Sequence, residues 1–179
     1  MKVLYSREWA MPSGDTFSVP PIARFVHRYL KEGAISIDPF ARNSTLCGLT
    51  NDLNPETRAK YHMEAREFLG MLVEQGVRAN FIIFDPPYSP RQISDCYKSA
   101  GLTAEMKDTQ NAALYGQCRS LFFALAAPGC IALSFGWNST GMGREWDRLE
   151  QLNVCHGGAH NDTICLAERI MPVTKGLAL

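Results

Sequence analysis

The stretch Phe81-Ile82-Ile83-Phe84-Asp85-Pro86-Pro87-Tyr88 decides how this chain is read. Four consecutive apolar residues predict a short buried strand, which runs straight into an acid, two prolines and an aromatic ring. Proline has a fixed φ and no backbone N–H. The pair can therefore neither continue a sheet ladder nor enter a helix interior, and it sets a stiff loop at the carboxyl end of the strand. In open α/β sheets, ligands gather at that end. An acid and an aromatic held there on a rigid turn suit a flat ring that carries an amine.

Upstream, Ala34-Ile35-Ser36-Ile37 predicts a second buried strand, followed by Asp38-Pro39-Phe40-Ala41-Arg42-Asn43-Ser44-Thr45. Another short apolar segment, Leu46 to Thr50, leads into Asn51-Asp52-Leu53-Asn54-Pro55. Only about ten residues separate the first of these strands from the second acidic turn, whereas a parallel crossover with a helix takes a dozen or more. Either the connecting helix is vestigial or the crossover is a loop. Earlier still, Met1 to Val19 shows little periodicity, with Trp9 and Phe17 as its apolar anchors. Ser13 to Ser18 is loop-like. Pro20 and Pro21 sit where helix starts tolerate proline, and Ile22, Phe25, Val26, Tyr29 and Leu30 then recur at helical spacing up to Gly33.

Downstream, Glu64 to Gln75 predicts a helix stopped by Gly76. Ser89 to Gln110 is polar and reads as a mobile functional loop, with one short helical candidate around Ile93, Cys96 and Tyr97. Ala112 to Ala127 carries a helical stripe of Leu114, Cys118, Leu121, Phe122 and Leu125, closed by Pro128-Gly129. Cys130 to Phe135 predicts another buried strand, Gly143 to Gln151 a short amphipathic helix, and Leu152 to His156 with Thr163 to Ile170 a hairpin. The alternation predicts an α/β fold with a mostly parallel, helix-flanked sheet and a terminal antiparallel hairpin.

Composition sets outer bounds. At 179 residues, one domain spanning 1–179 is expected. Formal net charge is zero, so any contact with nucleic acid has to come from a local patch. No apolar run reaches the ~18 residues of a membrane span, and no leader pattern is visible. The six cysteines are scattered without a Cys-x-x-Cys pair, which fits reduced thiols in a cytoplasm better than a disulfide framework.

Asp85-Pro86-Pro87-Tyr88 behind an apolar strand resembles the signature of class I amino-group methyltransferases that use S-adenosylmethionine (AdoMet), among them the DNA N6-adenine and N4-cytosine enzymes. Asp38-Pro39-Phe40-Ala41 looks like the opening of that family's Asp-Pro-Phe-x-Gly-x-Gly cofactor loop. With Thr50-Asn51-Asp52-Leu53-Asn54-Pro55 after it, the chain is similar to compact methyltransferase-like proteins of bacteriophages, from about Thr16 to the end. The resemblance implies a Rossmann-like methyltransferase fold and methyl transfer to adenine N6, in DNA first of all, on a flipped-out base. In that reading Asp85 and the Pro86 carbonyl accept hydrogen bonds from the amine, Pro87 stiffens the turn, and Tyr88 stacks on the base. For AdoMet it implies Asp38, Pro39 and Phe40 at the loop, Asp52 at the ribose, Leu53 and Asn54 beside the adenine, and Glu64 and Ala65 along its edge. Thr16, Phe17 and Ser18 would meet the methionine portion. The chain departs from the pattern by placing Arg42 and Ser44 where the loop carries glycines, and by lacking a separate target-recognition domain. Specificity then falls to loops or to a second subunit, as in a homodimer.

Plainer readings compete at each position. Asp85 can cap a helix with Tyr88 as packing, Asp52 can be a turn residue, and Thr16 or Ser18 a helix cap. Trp137 is either core or a second wall of the base pocket. Cys155, His156, His160 and Cys165 invite a metal but match no zinc pattern, and no metal is expected. Arg91, Lys98 and Lys107 are interspersed with Asp95, Glu105 and Asp108, as in a solvated loop. Two other functions remain open: methylation of RNA or another planar amine, and a catalytically silent binding or regulatory role for the same fold.

Overall fold

The computed structural model describes residues 2–103, 111–158 and 160–172. Its seven strands form one sheet in the order β1-β6-β7-β5-β4-β2-β3. In chain order the strands are β1 (Leu4–Trp9), β2 (Ser36–Asp38), β3 (Leu49–Thr50), β4 (Ala79–Phe84), β5 (Ala126–Gly136), β6 (Trp146–Cys155) and β7 (Thr163–Ile170). The helices are α1 (Pro20–Tyr29), α2 (Ala65–Glu74), α3 (Pro90–Ser99) and α4 (Asn111–Leu125), with a short 3-10 turn at Thr16–Ser18. Only β7 is reversed: it lies antiparallel between β5 and β6, while all other pairings are parallel.

The central strand β4 is buried on both faces, and its side chains divide by parity. Phe81 and Ile83 join the core under α1 with Phe25, Val26, Leu133 and Phe135. Ile82 and Phe84 join the core under α2 and α4 with Phe68, Leu72, Phe122 and Leu125. That parity follows from the two-residue repeat of a strand, and it explains why the sequence here is an unbroken apolar run. Phe122 packs edge-on against Phe84 with ring centroids 5.3 Å apart, tying α4 to the strand that carries the Asp-Pro-Pro-Tyr turn.

Several boundaries differ from the sequence reading, each for a local reason. The first segment is not irregular: β1 pairs in parallel with β6, Leu4 opposite Glu150 and Trp9 opposite Cys155. As an edge strand it shows almost no alternation in burial, so periodicity could not reveal it. Trp9, expected as an anchor, is largely exposed. Helix α1 ends at Tyr29, and Gly33 takes its positive φ in the turn beyond. The link from β2 to β3 is a loop without a helix, settling the question its length raised. The short helical candidate around Ile93, Cys96 and Tyr97 is helix α3, Pro90–Ser99, within the stretch otherwise read as a loop. Ser89 and Gln92 form a reciprocal capping box that starts α3, while residues 104–110, with Glu105, Lys107 and Asp108, lie outside the described residues.

Pro128-Gly129 does not close a helix either. α4 stops at Leu125, and residues 127–130 bulge out between Ala126, opposite Ala79, and Ile131, opposite Phe81. The predicted helix over Gly143 to Gln151 is absent, its second half being strand β6. Trp146 and Glu150 are buried four residues apart, which imitates helical spacing. A bulge between Arg148 and Glu150 shifts the register, so Trp146 faces the α2/α4 core and Leu152 and Val154 the α1 core.

Truncating Phe122, fully buried against Phe84, removes a large core ring that the surrounding structure cannot fill. Phe122→Ala is expected to cost about 3–5 kcal/mol, read as a lower urea midpoint at unchanged slope.

Candidate functional site

The carboxyl ends of β2, β3, β4 and β5 meet on one edge of the sheet, and the acids at the ends of the first three lie there too. Asp38 closes β2 and is fully buried. Its Oδ1 accepts the Phe40 N–H at 3.0 Å, while its Oδ2 is buried with no partner among the described residues. Burial, reinforced by the charges of Asp85 and Asp52, pushes its carboxyl up to about 8. Asp85, directly after β4, is held above the ordinary carboxylate range by burial, against opposing hydrogen bonds from Tyr88 and Thr16 and the nearby Arg42 charge. Asp52, after β3, accepts the Asn54 N–H at 2.9 Å and the Arg42 N–H at 3.0 Å.

The Asp-Pro-Pro-Tyr turn is locked from two sides. The Tyr88 hydroxyl donates to Asp85 Oδ1, and the Tyr115 hydroxyl on α4 donates to the Pro87 carbonyl. No partner is found for the Pro86 carbonyl among the described residues. The turn also divides two hollows. Pro87 faces one, whose walls include Phe40, Asp52, Leu53, Glu64 and Ala65. Pro86 and Tyr88 face the other, with Tyr115, Arg119, Ser134 and Trp137. Tyr88 and Trp137 lie with ring centroids 5.5 Å apart, tilted by 56°, and Trp137 is 43% exposed, so it is a wall and not core.

The sequence-expected residues fall into two groups. Pro39, Phe40, Asp52, Leu53, Glu64 and Ala65 come together around the first hollow, Asp38 lies beneath them, and Asp85, Pro86, Pro87 and Tyr88 form the divide. Thr16 reaches Asp85 and Tyr88. Three others turn away. Phe17 packs edge-on against Phe135 at 5.4 Å, and the Ser18 hydroxyl bonds Ser13 and the Asp15 carbonyl. Both line a separate surface hollow beside residues 43–46. Asn54 caps its own turn, accepting the Glu56 N–H at 3.0 Å. Glu64 also has a plain structural role: its carboxylate caps α2 through the Arg66 N–H at 2.6 Å.

Arg42 shows how the loop manages without its glycine. Its φ is +49°, the left-handed region that glycine enters freely and an arginine rarely does. The Asp52 carboxylate holds its N–H, and its guanidinium reaches back to the Gly14 carbonyl, joining two loops. Sequence reasoning missed Asn51, whose buried amide donates to the Pro39 and Met63 carbonyls at 3.2 and 3.0 Å and clamps the hollow's two rims. It also missed Tyr115 and Arg119, which lie on a helix read only for its apolar stripe. His156, considered as a metal ligand, spends both ring nitrogens inside the fold, on the Ala10 carbonyl and the Thr163 hydroxyl, each at 2.9 Å. Among the described residues no three metal-ligating side chains converge.

The Asp38 carboxyl gives a pH signature. Its ordinary value is 3.8 and its folded value about 8, so between them the folded protein holds a proton that the unfolded chain has released. Stability therefore falls as pH rises through that window. The thermal midpoint is expected to drop from about pH 5 to about pH 8.5, by about 2–4 °C per kcal/mol lost, and Asp38→Asn should flatten the drop. A variant whose midpoint tracks the unsubstituted protein across the range would contradict the burial argument.

No known family profile matches the chain, and no curated protein matches it in sequence. Solved structures do match in fold. SMU.776, named as a methyltransferase and complexed with SAH, superposes with a TM-score of 0.62 at 10% identity, over 84% of this chain and 48% of its own. TrmN from Thermus thermophilus gives 0.56 at 14% identity, over 86% of this chain and 49% of its own. The protein yhhF from Escherichia coli, also named as a methyltransferase, gives 0.55 at 11% identity, over 90% and 92%. This chain thus spans about half the length of the first two and nearly all of the third. What it shares with them is the Rossmann-like methyltransferase fold.

Proposed function

We propose that this protein transfers a methyl group from AdoMet to the exocyclic N6 amine of adenine in DNA, with the target base turned out of its stack. The observation that carries the reading is the pair of hollows on either side of the Asp85-Pro86-Pro87-Tyr88 turn. A group-transfer reaction needs two ligands facing each other across the acceptors that orient them, and the turn supplies those acceptors.

The residues fit AdoMet. Its sulfonium and ammonium make the reacting end cationic, and it would enter a site where the charges of Asp85 and Asp52 bear on Asp38, whose Oδ2 has no partner among the described residues. Phe40, Leu53 and Ala65 give the first hollow an apolar wall for a purine, and Asp52 offers a carboxylate to sugar hydroxyls. When bound, AdoMet supplies an electrophilic methyl group. This chain's task is then orientation. An aromatic amine is a poor nucleophile because its lone pair is delocalised into the ring. Accepting both N–H hydrogens, at the Asp85 carboxylate and the Pro86 carbonyl, favours the pyramidal nitrogen that attacks. The Tyr88 hydroxyl now sits on Asp85 Oδ1, so the incoming amine either displaces it or uses Oδ2.

Asp85 must be ionised to accept two donors, and burial raises its pKa, so transfer is expected to weaken as pH falls through that raised value. Asp85→Ala should lower methyl transfer by roughly 100-fold or more, well beyond any fall in AdoMet affinity measured by calorimetry. A panel of DNA and RNA oligonucleotides with labelled AdoMet identifies the acceptor. Transfer to RNA alone would move the substrate, and failure to bind AdoMet would leave a silent fold.

A further inference from the structure

We infer that Arg119 reads the target ring, donating a hydrogen bond to a ring nitrogen of the base held beside Tyr88. The inference rests on the methyl-acceptor role given to the second hollow and adds which edge of the base is recognised there.

Arg119 lines that hollow from α4. Its Nε is buried without a hydrogen-bond partner, and no other hydrogen bond or ion pair is found for its guanidinium among the described residues. Burial lowers its pKa, as expected for a cation stripped of water on one side. The carboxylate that influences it, Glu168, is itself already engaged: Oε2 accepts the Met142 N–H at 2.7 Å and Oε1 meets Arg148 at 3.3 Å. A buried guanidinium donor left unpaired is costly and uncommon in folded proteins. Arg119 thus brings to a hollow suited to a flat ring a guanidinium that no acceptor among the described residues takes.

Depth selects the kind of acceptor. Tyr115 bonds Pro87 at the mouth of the hollow, and the far end of α4 leads into Ala126, which pairs with Ala79 at the start of β4. The helix therefore descends from mouth to floor, and Arg119 stands one turn below Tyr115, about 5–6 Å deeper. A backbone phosphate stays outside with the sugar, whereas the edge of an inserted base reaches inward. The turn offers acceptors for an amine and Arg119 offers donors, so the matching ligand carries an amine and, on another edge, an in-plane nitrogen. Adenine has both.

Binding of adenosine and its 1-, 3- and 7-deaza analogues to the full chain, followed by tryptophan fluorescence with Trp137 at the mouth, tests this. One analogue should bind roughly 10- to 100-fold more weakly than adenosine, and in Arg119→Met that difference should vanish. The analogue arm on the unsubstituted protein needs no variant to fold. Equal binding of all four nucleosides, no nucleoside binding, or discrimination that survives in Arg119→Met would overturn the assignment. So would a gain on adding a 5′-phosphate that Arg119→Met abolishes, since the partner would then be the phosphate. AdoMet titration and methyl transfer report separately on the reading underneath: discrimination without transfer would remove the enzyme and keep the ring reader.

Discussion

Two adjacent prolines at the end of β4 constrain everything around them. Neither has an N–H, so the ladder that joins β4 to β5 stops after Phe84 and Ser134, and the chain leaves the sheet carrying two carbonyls. Tyr115 takes the second of these, which fixes α4 against the turn. The first stays available beside the Asp85 carboxylate. The site's acceptors and its dividing wall thus come from one covalent fact, and the aromatic packing of Phe84 between Phe40, Tyr115 and Phe122 holds that fact in place.

The same region concentrates unfavourable charge. Burial and the charges of Asp85 and Asp52 raise the affinity of Asp38 for a proton, and Arg42 is a cation that works against burial at Asp85. Its left-handed backbone is sustained by the Asp52 contact, so the residue in the glycine's place contributes a charge that glycine could not. Keeping a buried carboxyl oxygen without a partner among the described residues, as at Asp38 Oδ2, costs part of the fold's stability, which a cation bound there would restore.

Much of this was legible in the chain. The strand and helix alternation around the apolar run before Asp85 was enough to anticipate a mostly parallel sheet, while it was the resemblance to amino-group methyltransferases that grouped Phe40, Asp52, Leu53, Glu64 and Ala65, which line one hollow. What escaped had no periodic signature. β1 is an edge strand without a buried face, and the bulge at Arg148/Glu150 disguised a strand as a helix. The positions of Phe17, Ser18 and Asn54 depended on which way a loop folds back on itself, and Arg119 on the depth of one helical turn. Neither is written in spacing.

The pairing of β1 carries a consequence for how the molecule is made. Leu4 faces Glu150 and Trp9 faces Cys155, so β1 is synthesised long before the strand it pairs with. Until β6 is made, both backbone edges of β1 are unpaired, and even in the finished sheet it keeps one edge open, with Leu4, Tyr5 and Trp9 exposed. During synthesis β1 is therefore open to mispairing on both edges, and β6 closes only one of them.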